Sequence, residues 1–316
     1  DEVGPRRPTG KAERAAAELV REQLEEAGIP ARLEGFLGYS TFAAPFAVIL
    51  GLAVAPALLA PGHRGLRSLL AVGSAAALVS EGNLVRTPLS ALLSRRPSQN
   101  VVAVIEPQDQ PVRTLCLVCH LDTSRSGLMF HPRAARLLNP ALQALSAACL
   151  AQASEPLLGR SRGGRRVLTG VRATLGLAAA LLLERELRGE EVPGANDNAS
   201  GVATVARLAL ESASKPLRGT RLVALMTGCE ESGLLGSQAF LRSRETAGWM
   251  FVNFDNVSPV LARGGRGITF VAGDNGSIPN YHWPTDTTEN VDPDSLDRAI
   301  AVGREMLAAV DRGEAD

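Results

Sequence analysis

The stretch Thr220-Arg-Leu-Val-Ala-Leu-Met226-Thr-Gly-Cys-Glu230-Glu231-Ser-Gly-Leu-Leu-Gly236-Ser237 decides the architecture. It opens on a short apolar run, residues 220–226, without polar/apolar alternation. Such a run reads as a strand covered on both faces. Two adjacent carboxylates follow at its carboxyl end. Gly233 and Gly236 then permit a tight turn into a helix. Strand, polar loop and helix in that order mark an open α/β sheet, whose ligands sit beyond the carboxyl ends of the strands.

The same pattern extends outward. Residues 11–27 form an amphipathic helix, with Ala16, Leu19, Val20, Leu24 and Ala27 on one stripe. Thr9 is its expected N-cap and Gly28 its stop. Strands are expected at 31–36, 99–105, 113–119 and 248–254, and helices at 201–212 and 295–312. The expected fold is a three-layer αβα sandwich on a mostly parallel central sheet.

At 316 residues the chain is long enough for about two domains, at ~150 residues each. Lys+Arg and Asp+Glu are 33 each, which excludes a basic nucleic-acid binder or an acidic tail. With 21% charged residues and a mean hydropathy of +0.06 the chain is not disordered. Four cysteines do not make a disulfide scaffold. Cys116 and Cys119 form a C-x-x-C, but inside an apolar strand, and are expected as buried packing residues. The sequence begins at Asp1 without Met and reads as clipped, which leaves targeting open.

One region departs from this pattern. Residues 35–62 are 28 positions without a charge. A bilayer span needs ~20 apolar residues, and Pro45 and Pro56 are better tolerated there than in a soluble helix. Weaker apolar runs follow at 68–80, 137–154 and 173–183. The expectation is a span at 35–62 with the other runs closing two helical hairpins, in contact with a lipid bilayer. Arg172, at the edge of the last run, is expected as an interfacial or buried helix-end arginine. Arginines flank both ends of the hairpins, so no orientation follows.

Five sites fall just after strands or in the loops that follow: His120-Leu-Asp122, Asp197-Asn-Ala-Ser-Gly201, Glu230-Glu231, Asp255 and His282. Singly each is ordinary, since such a histidine is more often a core residue and paired glutamates are more often solvated. Together they supply two histidines, three ligand carboxylates and one spare carboxylate, which is what two zinc ions need. Zinc takes nitrogen and oxygen ligands at ~2.0–2.2 Å. Two metals ~3.5–4 Å apart need a bridging carboxylate.

The order and context of these blocks resemble the zinc exopeptidases of clan MH, metallopeptidase family twenty-eight, which includes double-zinc aminopeptidases. The family pattern is H-x-D, G-x-N-D-N-x-S-G, E-E-x-G-L-x-G-S, a strand-end D, and H-x-x-x-D-T. Here it reads His120-Leu-Asp122, Gly194-Ala-Asn-Asp197-Asn-Ala-Ser-Gly201, Glu230-Glu231-Ser-Gly-Leu-Leu-Gly-Ser237, Asn253-Phe-Asp255 and His282-Trp-Pro-Thr-Asp286-Thr287. The resemblance covers residues 6–36, 99–122 and 194 onward.

It implies a zinc exopeptidase fold of the phosphorylase/hydrolase type and a peptidase activity on peptide or amide substrates. It implies two Zn²⁺, for which other divalent metals could substitute. Asp197 would bridge them. His120 and Asp255 would complete the first zinc, and Glu231 with His282 the second. Metal-bound hydroxide would be the nucleophile and Glu230 the general base. Asp122 would orient the His120 ring, and Asp286 would act similarly near His282.

Three departures from the family matter. His120 and Asp197 lie 77 positions apart, an excess that holds two of the apolar runs. The other two occupy the long connection after Phe36. Asp255 and His282 are only 27 positions apart, and Gly273-Asp-Asn-Gly-Ser277 looks like a splice over an absent segment. The expected division is a catalytic domain of 1–36, 97–132 and 190–316, with apolar helical insertions at 37–96 and 133–189. The leading expectation is a membrane-bound di-zinc aminopeptidase. Within hydrolases the alternative is a carboxypeptidase or amidohydrolase acting on a membrane-presented or acylated amide. Outside them stand a non-catalytic binding module and a glutaminyl-cyclase-like transferase with one zinc. Nucleic acid is not an expected partner, and oligomeric state and side-chain specificity are open.

Overall fold

The computed structural model describes residues 3–59, 62–82, 87, 89–133, 138–255, 266–271 and 279–314. The expected splice at 273–277 lies outside them. The chain divides into two units. One comprises residues 1–40, 95–125 and 191–316, and the other residues 41–94 and 126–190.

The first unit is built on β1 (Ala31–Gly38), β2 (Arg96–Ile105), β3 (Arg113–His120), β4 (Thr220–Thr227), β5 (Met250–Asn253) and β6 (Arg266–Thr269). They form one sheet in the order β1-β2-β4-β3-β5-β6. β4, β3, β5 and β6 run parallel, and β2 is antiparallel to both β1 and β4. The strands that read as apolar without alternation are the interior ones, β3 and β4, buried on both faces.

Helices α1 (Lys11–Glu26), α7 (Ser200–Ser214) and α9 (Pro293–Arg312) place Leu24, Leu208 and Leu307 in one core with Leu117 and Ala224 of the sheet. Helix α8 (Leu235–Arg242) packs Phe240 and Leu241 on the opposite face against Cys116, Val223 and Phe251. Cys119 points into the first core and Cys116 into the second, so the C-x-x-C is split across the sheet. All four cysteines are free and buried. Burial pushes the thiols of Cys116 and Cys119 far up from their usual range.

One boundary differs in a telling way. Gly10, not Thr9, is the N-cap of α1, and it makes no side-chain cap. Thr9 instead has left-handed backbone, φ 61, and its N–H donates to Glu13 in the first turn. Gly28, φ 79, ends the helix as expected.

The second unit holds α2 (Ala43–Leu59), α3 (Arg64–Gly82), α4 (Leu138–Ala153), the single turn α5 (Glu155–Leu158) and α6 (Arg162–Arg188). Its core contains Leu50, Ala53, Cys149, Leu175 and Leu182. The expectation for 35–62 needs correction. Residues 35–38 are captured by β2 as the end of β1, so α2 starts at Ala43 and has 17 residues. Among the described residues one helix, α6 with 27 residues, is long and apolar enough to cross a membrane. Arg172 also needs correction. It sits in the middle of α6, not at a helix end. Its guanidinium lies 3.1 Å from Glu155 Oε1 and donates to Gln152 Oε1. Arg67 pairs with the same Glu155 oxygen at 2.7 Å, with both side chains buried.

Candidate metal centre

Adjacent strands β4, β3 and β5 end at one level. His120 stands opposite Thr227, and Val118 opposite Asn253. The loops that leave these ends carry Glu230 and Glu231 from β4, His120 itself from β3 and Asp255 from β5. Asp197 comes from the turn that enters α7, and His282 from the loop that leads to α9. The seven side chains expected from the sequence therefore meet at the carboxyl edge of the sheet.

The Asp197 carboxylate lies between the two histidines. Its Oδ1 is 3.0 Å from His120 Nε2 and its Oδ2 is 3.1 Å from His282 Nε2. Asp255 Oδ2 is 2.8 Å from His120 Nε2, and Glu231 Oε1 is 3.1 Å from His282 Nε2. Glu230 Oε2 stands farther off, 3.9 Å from His120 Nε2. The nitrogen of His120 that faces away, Nδ1, is 2.9 Å from the Asp122 carbonyl oxygen and 3.6 Å from Asp122 Oδ1.

The local sequence makes this possible at defined points. A Cβ on Gly194 would lie 2.2 Å from Thr123 Cγ2, so only glycine fits the turn before Asp197. Asn198 donates to the Phe254 carbonyl and accepts from Gly201 N–H, which ties the Asp197 turn to the end of β5. Cys229, Asp255 and His282 all have positive φ, an uncommon state for residues with a Cβ that concentrates at functional sites.

Electrostatics follow from burying four carboxylates around two imidazoles. Burial disfavours the charged form of His120, but Asp255 and Glu230 outweigh it and hold its pKa well above the usual value. Burial opposes His282 in the same way, and Glu231 and Asp197 raise it to about 9. Burial pushes Asp197 up, yet bonds to His120 and His282 bring it below the usual range. Burial raises Glu230 and Glu231, and neighbouring carboxylates add to it.

The donor set fits divalent cations. Asp197 Oδ2 and Glu231 Oε1 are both buried and both turned toward the one His282 Nε2, which lies 3.1 Å from each. One ring nitrogen cannot satisfy two carboxylates, whereas a cation among the three atoms would. His120, Asp197 and Glu231 offer ligand atoms within 4.8 Å of one another, and so do His120, Glu230 and Asp255.

Two aspartates do more than their neighbouring histidines suggested. The Asp122 carboxylate accepts the N–H of Glu230 at 2.9 Å and of Glu231 at 3.0 Å. The Asp286 carboxylate accepts the N–H of Asn196 at 2.7 Å and of Asp197 at 3.1 Å, so it holds the Asp197 turn. Sequence reasoning also missed Arg6 and Tyr281. Arg6 donates to the carbonyls of Leu121, Pro193 and Gly194, which joins the loops of His120 and Asp197. Tyr281 stacks on His282 with ring centroids 3.8 Å apart. Its place next to His282 was a signal; Arg6 offered none.

Residues 183–277 match the model of peptidase family M28. The match spans Asp197, Glu230, Glu231 and Asp255, and leaves His120 and His282 outside it. A search of the curated proteins gave no match. Among solved structures the fold is similar to a zinc aminopeptidase from Bacillus subtilis, with TM-score 0.55, 14% identity, and 99% of this chain and 91% of that chain covered. It is also similar to an aminopeptidase from an Aneurinibacillus strain, with TM-score 0.52, 14% identity and coverage of 95% and 89%. A glutaminyl cyclase from Porphyromonas gingivalis shares the fold at TM-score 0.50, 13% identity and coverage of 99% and 94%. The family match and the α/β fold support a zinc-metallopeptidase-like hydrolase.

Proposed function

We propose that the chain is a di-zinc metallopeptidase, an aminopeptidase in the first instance. The observation that carries this reading is the Asp197 carboxylate, one oxygen toward each histidine. Asp197 would be shared by two zinc ions, one held also by His120 and Asp255, the other by Glu231 and His282. Bound zinc would supply Lewis acidity, making water nucleophilic near neutral pH and stabilising charge on the substrate carbonyl oxygen. Glu230 stands outside both ligand sets, and burial keeps it basic enough to hold a proton. It accepts a proton from the attacking water and gives it to the leaving amine nitrogen as the C–N bond breaks.

Replacing Glu230 with Gln should lower kcat on amino-acid arylamides by at least ~10³-fold while zinc stays at two per chain. An unchanged rate would sink the assignment. One zinc per chain would instead favour the cyclase-like alternative, and none the binding-module reading.

The second unit supports a membrane-associated form of this enzyme. Val48, Leu52, Leu69, Leu150, Leu177 and Leu183 on its helices are exposed, and α6 is long enough to span a bilayer. A carboxypeptidase or amidohydrolase acting on a membrane-presented or acylated amide is the alternative these helices favour. Expressed protein should stay with the membrane pellet after alkaline extraction. Release into the supernatant removes the membrane half and leaves the hydrolase standing. Turnover of free dipeptides without cleavage of any acylated amide removes the alternative.

A further inference from the structure

Two non-glycine residues with left-handed backbone donate to one buried carboxylate. Thr9 has φ 61 and Cys229 has φ 53. Thr9 N–H donates to Glu13 Oε2 at 2.9 Å, and Cys229 N–H donates to Glu13 Oε1 at 2.8 Å. Ser98 Oγ donates to Oε2 at 2.9 Å. Glu13 is fully buried, and a Cβ on the neighbouring Gly228 would stand 2.8 Å from its Oε1. The next two amides, of Glu230 and Glu231, donate to the Asp122 carboxylate. Three successive N–H groups, 229 to 231, are thus each fixed by a carboxylate oxygen from another part of the chain.

Left-handed backbone at a residue with a Cβ persists where the surroundings over-determine it. The turn at Cys229 decides where the next two side chains leave the chain. Glu231 goes to His282, and Glu230 stands off on the His120 side.

We infer that Glu13 is a positioning residue for Glu230: its carboxylate holds Cys229 left-handed and so sets the place from which the general base works. This rests on the reading of Glu230 as that base. Glu13 touches no candidate ligand and acts only through the backbone of 229.

The test uses the zinc-loaded full chain and an amino-acid arylamide. Glu13→Gln keeps the size but leaves one acceptor oxygen for donors that now use two. It should lower kcat about tenfold with KM within about twofold and zinc unchanged. Adding Cys229→Gly to that variant should restore kcat to within about threefold of wild type, because glycine takes left-handed backbone unaided. A residue that merely supports the fold would not be rescued in this way. Amide exchange of the 229–231 segment, read by mass spectrometry, should quicken in Glu13→Gln without any need for turnover. Wild-type kcat in Glu13→Gln, unchanged exchange at 229–231, or loss of kcat that glycine does not restore would each overturn the inference. Wild-type turnover in Glu230→Gln overturns the reading of the base and this inference with it. Wild-type kcat in Glu13→Gln beside an inactive Glu230→Gln overturns the inference alone.

Discussion

The two units bury polar groups to opposite ends. In the sheet unit the buried charges face one place, the carboxyl edge of β3, β4 and β5, and their backbone partners hold the loops around it. In the helical unit the buried Arg67 and Glu155, with Gln152 and Arg172, pair among themselves across α3, α4, α5 and α6. The first arrangement sets more carboxylate oxygens than donors around the two histidines and so asks for cations. The second has an excess of donors over its one carboxylate and fastens helices. Buried charge is therefore not a signature of chemistry; the balance of donors to acceptors is what separates a site from a staple.

That contrast can be broken at its strongest point first. Asp197→Asn removes the shared carboxylate, and should bring zinc below two per chain by mass spectrometry with at least ~10³-fold loss of kcat/KM. Two zinc ions and retained activity would mean that Asp197 is not the shared ligand. Next, Glu155→Gln strips the buried Arg67 of its carboxylate and should cost about 3 kcal/mol, seen as a lower unfolding midpoint, while zinc content stays the same. No loss of stability would mean that the helical cluster is idle.

The smallest effect belongs to an exposed pair. Glu211 of α7 receives Arg304 of α9 at 2.7 Å and Arg207 within its own helix. The bond from Arg304, then that from Arg207, lowers its pKa from 4.5 to about 2. A depressed carboxyl stabilises the fold above its unfolded pKa. That share is present above pH 4.5 and is lost as pH falls toward 2. Because both partners are half-exposed, Glu211→Gln should cost only about 0.5 kcal/mol near neutral pH. The difference from wild type should shrink below pH 4 and in high salt.

What could be read from the sequence follows the same division. Strands β3 and β4 were legible because a strand buried on both faces is apolar throughout, and His120, Glu230 and Glu231 because they stand at the ends of those strands; Asp197, Asp255 and His282 were read from the order of the motif blocks. The roles of Glu13 and Arg6 were not legible, since the partners that tie them to the site, Cys229 and Leu121, lie 216 and 115 positions away. In the helical unit only composition spoke. The apolar run 173–183 marks only the second half of a helix of 27 residues, because Arg162, Arg165, Arg166 and Arg172 interrupt the apolar pattern in its first half. Residues 35 and 36 were read both as strand and as apolar run, and 37 and 38 as the run alone, because glycine and phenylalanine suit a strand edge as well as an apolar run.

The interleaving of the units sets an order on synthesis. The helical unit is complete once residue 190 has emerged, since it uses only 41–94 and 126–190. The sheet unit begins first yet finishes last. β1 and β2 can pair early, but β2 and β3 both wait for β4, which starts at Thr220. Until then β2 has a bare edge, and β3, ending in His120, is unpaired on both sides. The nascent chain therefore carries a finished helical unit while the sheet is still unfinished, and the ligands can meet only after the last of five separate segments has left the ribosome.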